Sequence, residues 1–264
     1  MSLDRVALAS LPTDSGAQDT FEAFVARAVD DPCVLGLLLT GSQAREGMAT
    51  AESDYDVWVV VDDDAPAGLL DVAGYRSANL DLAVWTLTQF RGYALPGEAE
   101  FWDAYSFVGA RVLLDRCGGL LGELAAQKAR LAPPDSHRCV AEYLDPYTNS
   151  VYRSLKSRRD GRTLAARLDA VESIPFLLSV LFALHGRIRP YHKYLQWELE
   201  HRPLGGEQWA AGIFLPQLEL ICADGDPGVQ RAVFAGIEQV ARREGHGDVL
   251  DAWGGDLGFI RGHH

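Results

Sequence analysis

Short apolar runs alternate with polar segments through the first half of the chain. The runs at 34–39 and 57–61 are rich in aliphatic and β-branched residues and have the length of buried strands. Further strand-like patterns follow in the same half, at 69–75, 79–85 and 111–114. Apolar residues recur at helical spacing in three other segments, at 18–30, 98–108 and 120–131. This half therefore predicts a mixed sheet with flanking helices.

The second half of the chain has almost no strand-like alternation. Its apolar spacing predicts helices at 137–159, 162–186, 191–201, 208–223 and 227–245. The segment 132–135, Ala-Pro-Pro-Asp, is predicted to be a linker because consecutive prolines stop a helix. Pro175 falls inside a predicted helix and indicates a kink or a boundary there. We expect an α+β protein with a sheet domain at 1–132 and an all-helical bundle at 133–262.

Composition narrows the class of protein. With 264 residues, 48% of them hydrophobic and 23% charged, the chain is expected to be soluble and globular. No apolar run approaches the roughly 20 residues of a membrane span, and no secretory signal pattern is visible. Four cysteines are scattered without a Cys-x-x-Cys pair, so we expect reduced thiols and a cytoplasmic location.

The charge of the chain is strongly negative. Lys and Arg number 24 and Asp and Glu number 37, which gives a formal net charge of −13. This argues against binding nucleic acid, because backbone phosphates require a basic face. Two interpretations stay open: the charge attracts a cationic small substrate, or it is the ordinary acidity of a globular protein.

The candidate chemistry lies between the first two predicted strands. Asp54 and Asp56 stand at the start of the second strand, and alternation along a strand places them on one face with Cα atoms about 6.5–7 Å apart. Two carboxylates this close repel each other unless a cation is bound, and such oxygen ligands suit Mg²⁺. Upstream, Gly41 allows close approach of a ligand, and a helix that begins at Ser42 would point free amides at an anion.

This segment resembles a known signature. Gly41-Ser42, eleven intervening residues and Asp54-Tyr55-Asp56-Val57 are similar to the pattern of the polymerase-beta-type nucleotidyltransferase superfamily, in particular its small bacterial branch that includes antibiotic nucleotidyltransferases. The chain departs from the pattern by one residue inserted before Gly47. The resemblance implies a nucleotidyltransferase domain followed by a helical domain. It also implies a third carboxylate, for which Asp81 is the candidate, although Asp81 could instead be a strand-edge acid or a turn residue.

The resemblance also implies a reaction. The protein would move a nucleoside monophosphate from a nucleoside triphosphate to a hydroxyl of a small acceptor, with pyrophosphate released. Asp54, Asp56 and Asp81 would hold two Mg²⁺ ions, and Gly41, Ser42 and Arg45 would hold phosphates. Asp81 would accept the hydroxyl proton, with Glu172 and then Glu142 as alternatives. The acceptor would bind between the domains, and a homodimer is possible.

A basic segment in the helical half is the second candidate for phosphate binding. Arg187, Arg189 and Lys193 lie within a few residues of Tyr191 and Tyr194, and such cations clamp triphosphates while an aromatic ring can stack on a base. Arg189 and Lys193 are the predicted ligands. The alternative is a basic corner between helices that neutralises two nearby acids, Glu198 and Glu200.

Two other functions stay open at this stage. One is a catalytically silent nucleotide-binding protein that acts as a regulator or an antitoxin-like partner. The other is a metal-dependent glycosyltransferase, because Asp-x-Asp also holds the metal ion of nucleotide-sugar donors. The Gly-Ser bend and the helical second half favour nucleotide transfer over sugar transfer.

Overall fold

The structure is a computed structural model that describes residues 3–96 and 99–263. The chain divides into two compact units, Met1–Arg130 and Leu131–His264, which we call the first and the second unit. None of the helices in the described part of the chain has the length and apolar character needed to cross a bilayer.

The first unit contains four strands and five α-helices within the described residues. In chain order they are α1 (Arg5–Ala9), α2 (Ala17–Asp30), β1 (Val34–Thr40), β2 (Tyr55–Val61), α3 (Ala67–Leu70), β3 (Leu80–Thr86), α4 (Leu87–Gly92), β4 (Arg111–Asp115) and α5 (Leu120–Lys128). Short 3₁₀ segments occupy Thr13–Ser15, Ser42–Ala44 and Ala99–Phe107.

The four strands form one mixed sheet in the order β3-β2-β1-β4. β1 pairs antiparallel with both β2 and β4, whereas β2 and β3 run parallel. With the helical second unit that follows, this confirms the predicted α+β architecture. Because β2 and β3 run parallel, both strands begin at the same edge of the sheet, and the predicted acids of the site lie there.

The two faces of the sheet have different environments. On one face, alternate residues of β1, β2 and β3 form a buried apolar core that also takes in Phe24 and Ala28 of α2. This core includes Leu37, Leu39, Val57, Val59, Val61, Leu80, Leu82 and Val84. The opposite face carries the intervening residues of β2 and β3, which begin with Asp56 and Asp81.

Two sequence predictions in the first unit are wrong in element type. The segment 69–75 is not a strand: it contains the end of α3 followed by turns, and Leu69 and Val72 are both buried at helical spacing. In the segment predicted as a helix at 98–108, Glu98 lies outside the described residues, and Ala99–Phe107 is a 3₁₀ segment rather than an α-helix. Side-chain hydrogen bonds at Asp103, which accepts from Ser106 (2.8 Å) and Tyr93 (2.9 Å), accompany this tighter turn.

The second unit is helical in its described residues. Its α-helices are α6 (Pro133–Arg159), α7 (Thr163–Leu184), α8 (Leu195–His201), α9 (Ala211–Asp224), α10 (Pro227–Arg243), α11 (Gly247–Asp251) and α12 (Gly255–Arg261). Short 3₁₀ turns at His192–Tyr194 and Glu207–Trp209 join some of them.

Three prolines of the second unit lie in helices where the sequence predicted a linker or a boundary. Pro133 and Pro134 begin α6 instead of forming a linker, because the first helical positions need no N–H donor and a proline is pre-organised there. Pro175 lies within α7, which continues as one helix to Leu184. The predicted boundary at Pro175 is therefore absent.

A buried histidine makes the second unit sensitive to pH. His246 is 3% exposed, between α10 and α11, and its ring stacks on His137 with centroids 4.2 Å apart. Burial lowers the pKa of His246, and the charge of His137 lowers it further, whereas Asp248 and Glu244 raise it. The folded state therefore disfavours the protonated ring.

We expect the wild-type protein to lose stability in mild acid. The unfolded state takes up this proton at a pKa of about 6.5 and the folded state only at lower pH, so stability is retained above about pH 6.5 and lost as pH falls toward the lowered pKa. His246→Phe keeps an aromatic ring without the titration, so the loss of unfolding free energy between pH 7 and pH 5, measured in urea, should be smaller in this variant than in the wild type. His201→Gln, at an exposed position, should behave as wild type. Equal losses in wild type and His246→Phe would contradict this assignment.

Candidate active site

Asp56 and Asp81 are neighbours across two strands. The parallel register pairs Asp56 of β2 with Asp81 of β3, so both side chains leave the same face of the sheet from strands about 4.8 Å apart. Both residues are half-buried. Asp54 stands just before β2 and is also half-buried. The structure therefore brings two of the predicted acids together by strand pairing, with the third two residues upstream on the same chain segment.

Gly41 fits against the carboxylate of Asp56. Thr40 at the end of β1 is the register partner of Asp56, and its hydroxyl donates to the Asp56 carbonyl at 3.3 Å. A Cβ atom on Gly41 would lie only 1.8 Å from Asp56 Oδ2, and the φ angle of Gly41 is +67°. Only glycine combines this left-handed backbone with such close packing. The glycine of the Gly-Ser bend therefore makes room for the Asp56 carboxylate.

The bend after Gly41 leads into a short turn and not into a longer helix beginning at Ser42. The structure has a single 3₁₀ turn at Ser42–Ala44, after which Arg45 is extended. Ser42 is buried, and Gln43 Nε2 donates to the Ser53 carbonyl at 3.2 Å. The turn is thereby tied to the backbone that leads into Asp54. The phosphate contacts predicted for Gly41 and Ser42 stay predictions.

Arg45 has a structural role in place of the predicted phosphate contact. Its side chain is 4% exposed, and its guanidinium donates to the carbonyls of Gly41 (2.6 Å), Tyr105 (3.2 Å) and Val108 (2.6 Å). The guanidinium carbon also lies 5.0 Å from the Tyr105 ring centroid. Because its donors are directed at buried backbone, Arg45 fixes the Gly41 bend to the 3₁₀ segment that contains Tyr105, and the prediction that it holds phosphates is corrected.

Replacing Arg45 should therefore reduce stability. Arg45→Met would leave buried carbonyls without donors, and we expect the free energy of unfolding in urea to fall by about 2–4 kcal/mol. Arg91→Met, which changes an exposed arginine on α4, should alter stability by less than about 0.5 kcal/mol. Wild-type stability of Arg45→Met together with weakened nucleotide binding would restore the phosphate role.

Asp81 has an ion-pair partner that the sequence analysis missed. Arg76 Nη2 lies 2.7 Å from Asp81 Oδ2, and the two residues also form an isolated antiparallel backbone bridge. The Arg76 side chain is 78% exposed and that of Asp81 22% exposed. The short connection Ser77-Ala78-Asn79, which bends at Ala78 and Asn79, brings the two residues together. An ion pair exposed on one side contributes little stability.

The acidic side chains suit a hard cation, but the structure pairs two of them where three were predicted. Within residues 3–96 and 99–263, no group of three or more His, Cys, Asp or Glu side chains is close enough to hold a metal ion. What the register provides is the pair Asp56 and Asp81, and Mg²⁺ is commonly held by one or two carboxylates with water and phosphate oxygens completing its shell. The pair and the Gly41 fit are therefore compatible with Mg²⁺, while the three-acid arrangement with Asp54 stays a prediction.

The negative charge of the chain is concentrated in the first unit. Residues 1–130 contain 20 Asp and Glu and 9 Lys and Arg, so this unit carries −11 of the total −13. A field of this sign attracts cations to the acidic edge of the sheet. It also means that a triphosphate would approach the acids only together with a cation.

An aromatic cluster supports the same face of the sheet. Trp58 follows Asp56 by two residues on β2, and its ring lies near those of Phe107 (4.9 Å), Tyr93 (5.2 Å) and Trp85 (6.1 Å). The buried ammonium of Lys128 donates to the Tyr93 carbonyl, and burial lowers its pKa to about 8. These contacts form a closely packed aromatic cluster that begins two residues after Asp56 on β2.

The predicted phosphate clamps lie in the second unit. Arg189 is half-buried, donates to the Pro175 carbonyl (3.1 Å) and to Ser179 Oγ (3.3 Å), and has a pKa lowered by burial. Lys193 is exposed, with its ammonium 4.8 Å from the Tyr194 ring centroid. The phosphate contacts assigned to Arg189 and Lys193 stay predictions.

Other residues of the second unit divide between structure and surface. Arg187 forms an ion pair with Glu198, whose side chain is 1% exposed and also accepts from Arg202 at 3.0 Å. For Arg187, the basic-corner interpretation is therefore the correct one. Glu172 on α7 and Glu142 on α6 are both exposed, and their role as general base stays a prediction.

Comparison with known proteins shows a distant similarity in structure. No family model matches the chain, and no curated protein matches it. The chain is similar to a nucleotidyltransferase-like protein from Exiguobacterium sibiricum 255-15, with 14% sequence identity and a TM-score of 0.38. The match covers 92% of this chain and 89% of that chain. Because the sequence identity and the TM-score are both low, this similarity carries no argument about function.

Proposed function

We propose that the protein is a Mg²⁺-dependent nucleotidyltransferase that moves a nucleoside monophosphate from a nucleoside triphosphate to a hydroxyl of a small acceptor. The observation that carries the proposal is the paired register of Asp56 and Asp81 beside the Gly41 bend. Two carboxylates on one face would supply cation ligands, and the adjacent Gly41 turn would contact the phosphates at the same edge of the sheet.

The chain's own residues would act as follows. Asp56 and Asp81, with Asp54 as a further predicted ligand, would hold Mg²⁺, which neutralises the triphosphate and lowers the pKa of the acceptor hydroxyl. The Gly41-Ser42 backbone would orient the phosphates. The acceptor oxygen forms a bond to the α-phosphorus, the bond to the β-phosphate oxygen breaks, and pyrophosphate leaves with that electron pair. Asp81 would accept the hydroxyl proton.

The proposal also includes a class of acceptor, which we infer from the negative charge of the first unit. The surplus of acids in the first unit favours a cationic hydroxyl compound over an anionic one. Nucleic acid is disfavoured as an acceptor for the same reason.

Mass spectrometry of reaction products tests the proposal. The protein is incubated with Mg²⁺, mixed nucleoside triphosphates and a library of cationic and neutral hydroxyl compounds, including aminoglycosides and lincosamides. We expect one acceptor to gain the mass of a nucleoside monophosphate as pyrophosphate appears. A parallel incubation with nucleotide sugars should give no product. Sugar transfer without nucleotide transfer would instead establish a glycosyltransferase.

A catalytically silent nucleotide-binding protein is the second candidate, and the Arg76–Asp81 ion pair favours it. If Arg76 permanently neutralises Asp81, the protein would bind a nucleotide without needing a divalent cation and would release no pyrophosphate. Calorimetric titration with ATP and GTP, with and without Mg²⁺, separates the two candidates. In a transferase, Arg76→Gln should tighten Mn²⁺ binding several-fold because a competing cation is removed. In a silent protein, Mn²⁺ should not affect nucleotide binding in either variant.

A further inference from the structure

An apolar stripe on α7 is exposed in the second unit. Leu164, Leu168 and Val171 are 71%, 61% and 44% exposed, although large aliphatic side chains are usually buried. Their spacing of four and then three residues places them on one side of the helix, and Pro175 continues the line one turn further. We call Leu164, Leu168 and Val171 the α7 seam.

The seam has the spacing of a coiled-coil interface. Intervals of four and three residues match alternating d and a positions of a heptad, with Leu164 at d, Leu168 at a and Val171 at d. The opposite side of α7 packs within the unit, where Ala166, Ala170 and Ser173 are buried. Both sides of the helix therefore carry aliphatic side chains, and among the described residues of the second unit the inward side is packed whereas the α7 seam is exposed.

The charges that flank the seam indicate what covers it. In the same register Arg167 is at g and Glu172 at the following e position, and both side chains are exposed. In a parallel helix pair, a g residue lies opposite the e residue five positions later on the partner. Arg167 of one helix would then face Glu172 of the other, and a two-fold axis would make this ion pair twice.

We propose that the α7 seam binds the α7 seam of a second copy of this chain, with the two helices parallel and Arg167 paired with Glu172 across the interface. An antiparallel pair would bring Arg167 toward Arg167 of the other copy, which is unfavourable. The contact covers about two helical turns, so the dimer is weak and forms at high micromolar concentration. This proposal does not involve Asp54, Asp56 or Asp81 of the first unit.

Sedimentation velocity of the full chain, from about 1 to about 500 μM, tests the proposal. The wild-type protein should show a concentration-dependent dimer. Leu168→Glu should weaken dimerisation by at least about 100-fold, because two charges would be desolvated in the seam. Val6→Glu, a matched change at a 78% exposed apolar residue of α1, should have no effect. Circular dichroism melting checks that each variant folds. A monomer throughout this range, or a dimer that Leu168→Glu leaves intact, would overturn the proposal.

Charge reversal tests the parallel orientation. Arg167→Glu and Glu172→Arg, each alone, should weaken dimerisation roughly tenfold by placing like charges opposite each other. The double variant restores opposite charges and should recover most of the wild-type affinity. Single reversals that weaken the dimer without rescue in the double variant would overturn the Arg167–Glu172 pairing.

Discussion

Asp56→Asn should reduce nucleotide transfer by at least about 100-fold while the protein remains folded. The substitution keeps the shape of the side chain and its place beside Gly41 but removes the negative charge that would bind the cation. Because the shape of the side chain is kept, the melting temperature should stay close to that of the wild type. The measurement is the initial rate of pyrophosphate release with the acceptor found by mass spectrometry, together with thermal unfolding.

Asp64→Asn is the matched control for this prediction. Asp64 is an exposed acid in the turn that follows β2. Asp64→Asn therefore removes the same charge from the first unit as Asp56→Asn does, without changing the Asp56–Asp81 pair. Its rate should stay close to that of wild type. An Asp56→Asn protein with wild-type activity would exclude Asp56 as a ligand of the reactive cation.

Gly41→Ala should impair both stability and cation binding. A Cβ atom would come within 1.8 Å of Asp56 Oδ2, so the carboxylate or the bend must move, and the positive φ angle adds backbone strain. We expect a loss of about 1–3 kcal/mol in unfolding free energy and at least tenfold weaker Mn²⁺ binding.

Gly47→Ala separates strain from the loss of the site. Gly47 has a similar φ angle of +73°, but a Cβ there would meet no atom within 4 Å. Gly47→Ala should also lose unfolding free energy through backbone strain, but it should keep the wild-type affinity for Mn²⁺. Equal Mn²⁺ affinities in the two glycine variants would show that the fit between Gly41 and Asp56 is unimportant for the site.

The sheet and its acids were predictable because local sequence determines them. β1 and β2 are apolar runs of strand length and a third such run contains Asp81, so the apolar pattern indicated these three strands, although it wrongly predicted a strand at 69–75. Helix α2 begins and ends within one residue of its prediction because its apolar residues keep a single period. What the pattern could not give was the parallel pairing that places Asp56 beside Asp81, since strand order depends on contacts distant in sequence.

The errors arose where tertiary contacts decide the role of a residue. An arginine next to a Gly-Ser bend has the same local sequence whether it binds phosphate or backbone, and only the distant carbonyls of Tyr105 and Val108 show that Arg45 binds backbone. Likewise, consecutive prolines fit either a linker or a helix start, and the continuation of α6 after Pro134 decides between them. Arg76 was missed because it lies in the short connection between two predicted strands, where the local sequence does not indicate a partner across the bend.

Mn²⁺ titration, followed by electron paramagnetic resonance in the presence of a non-hydrolysable nucleoside triphosphate, measures the cation site itself and needs no knowledge of the acceptor. The wild-type protein should bind Mn²⁺ together with the nucleotide, and the Asp56→Asn/Asp81→Asn double variant should lose that binding while its fold is retained. Equal Mn²⁺ affinity in the wild type and the folded double variant would contradict a divalent-cation site at these two carboxylates.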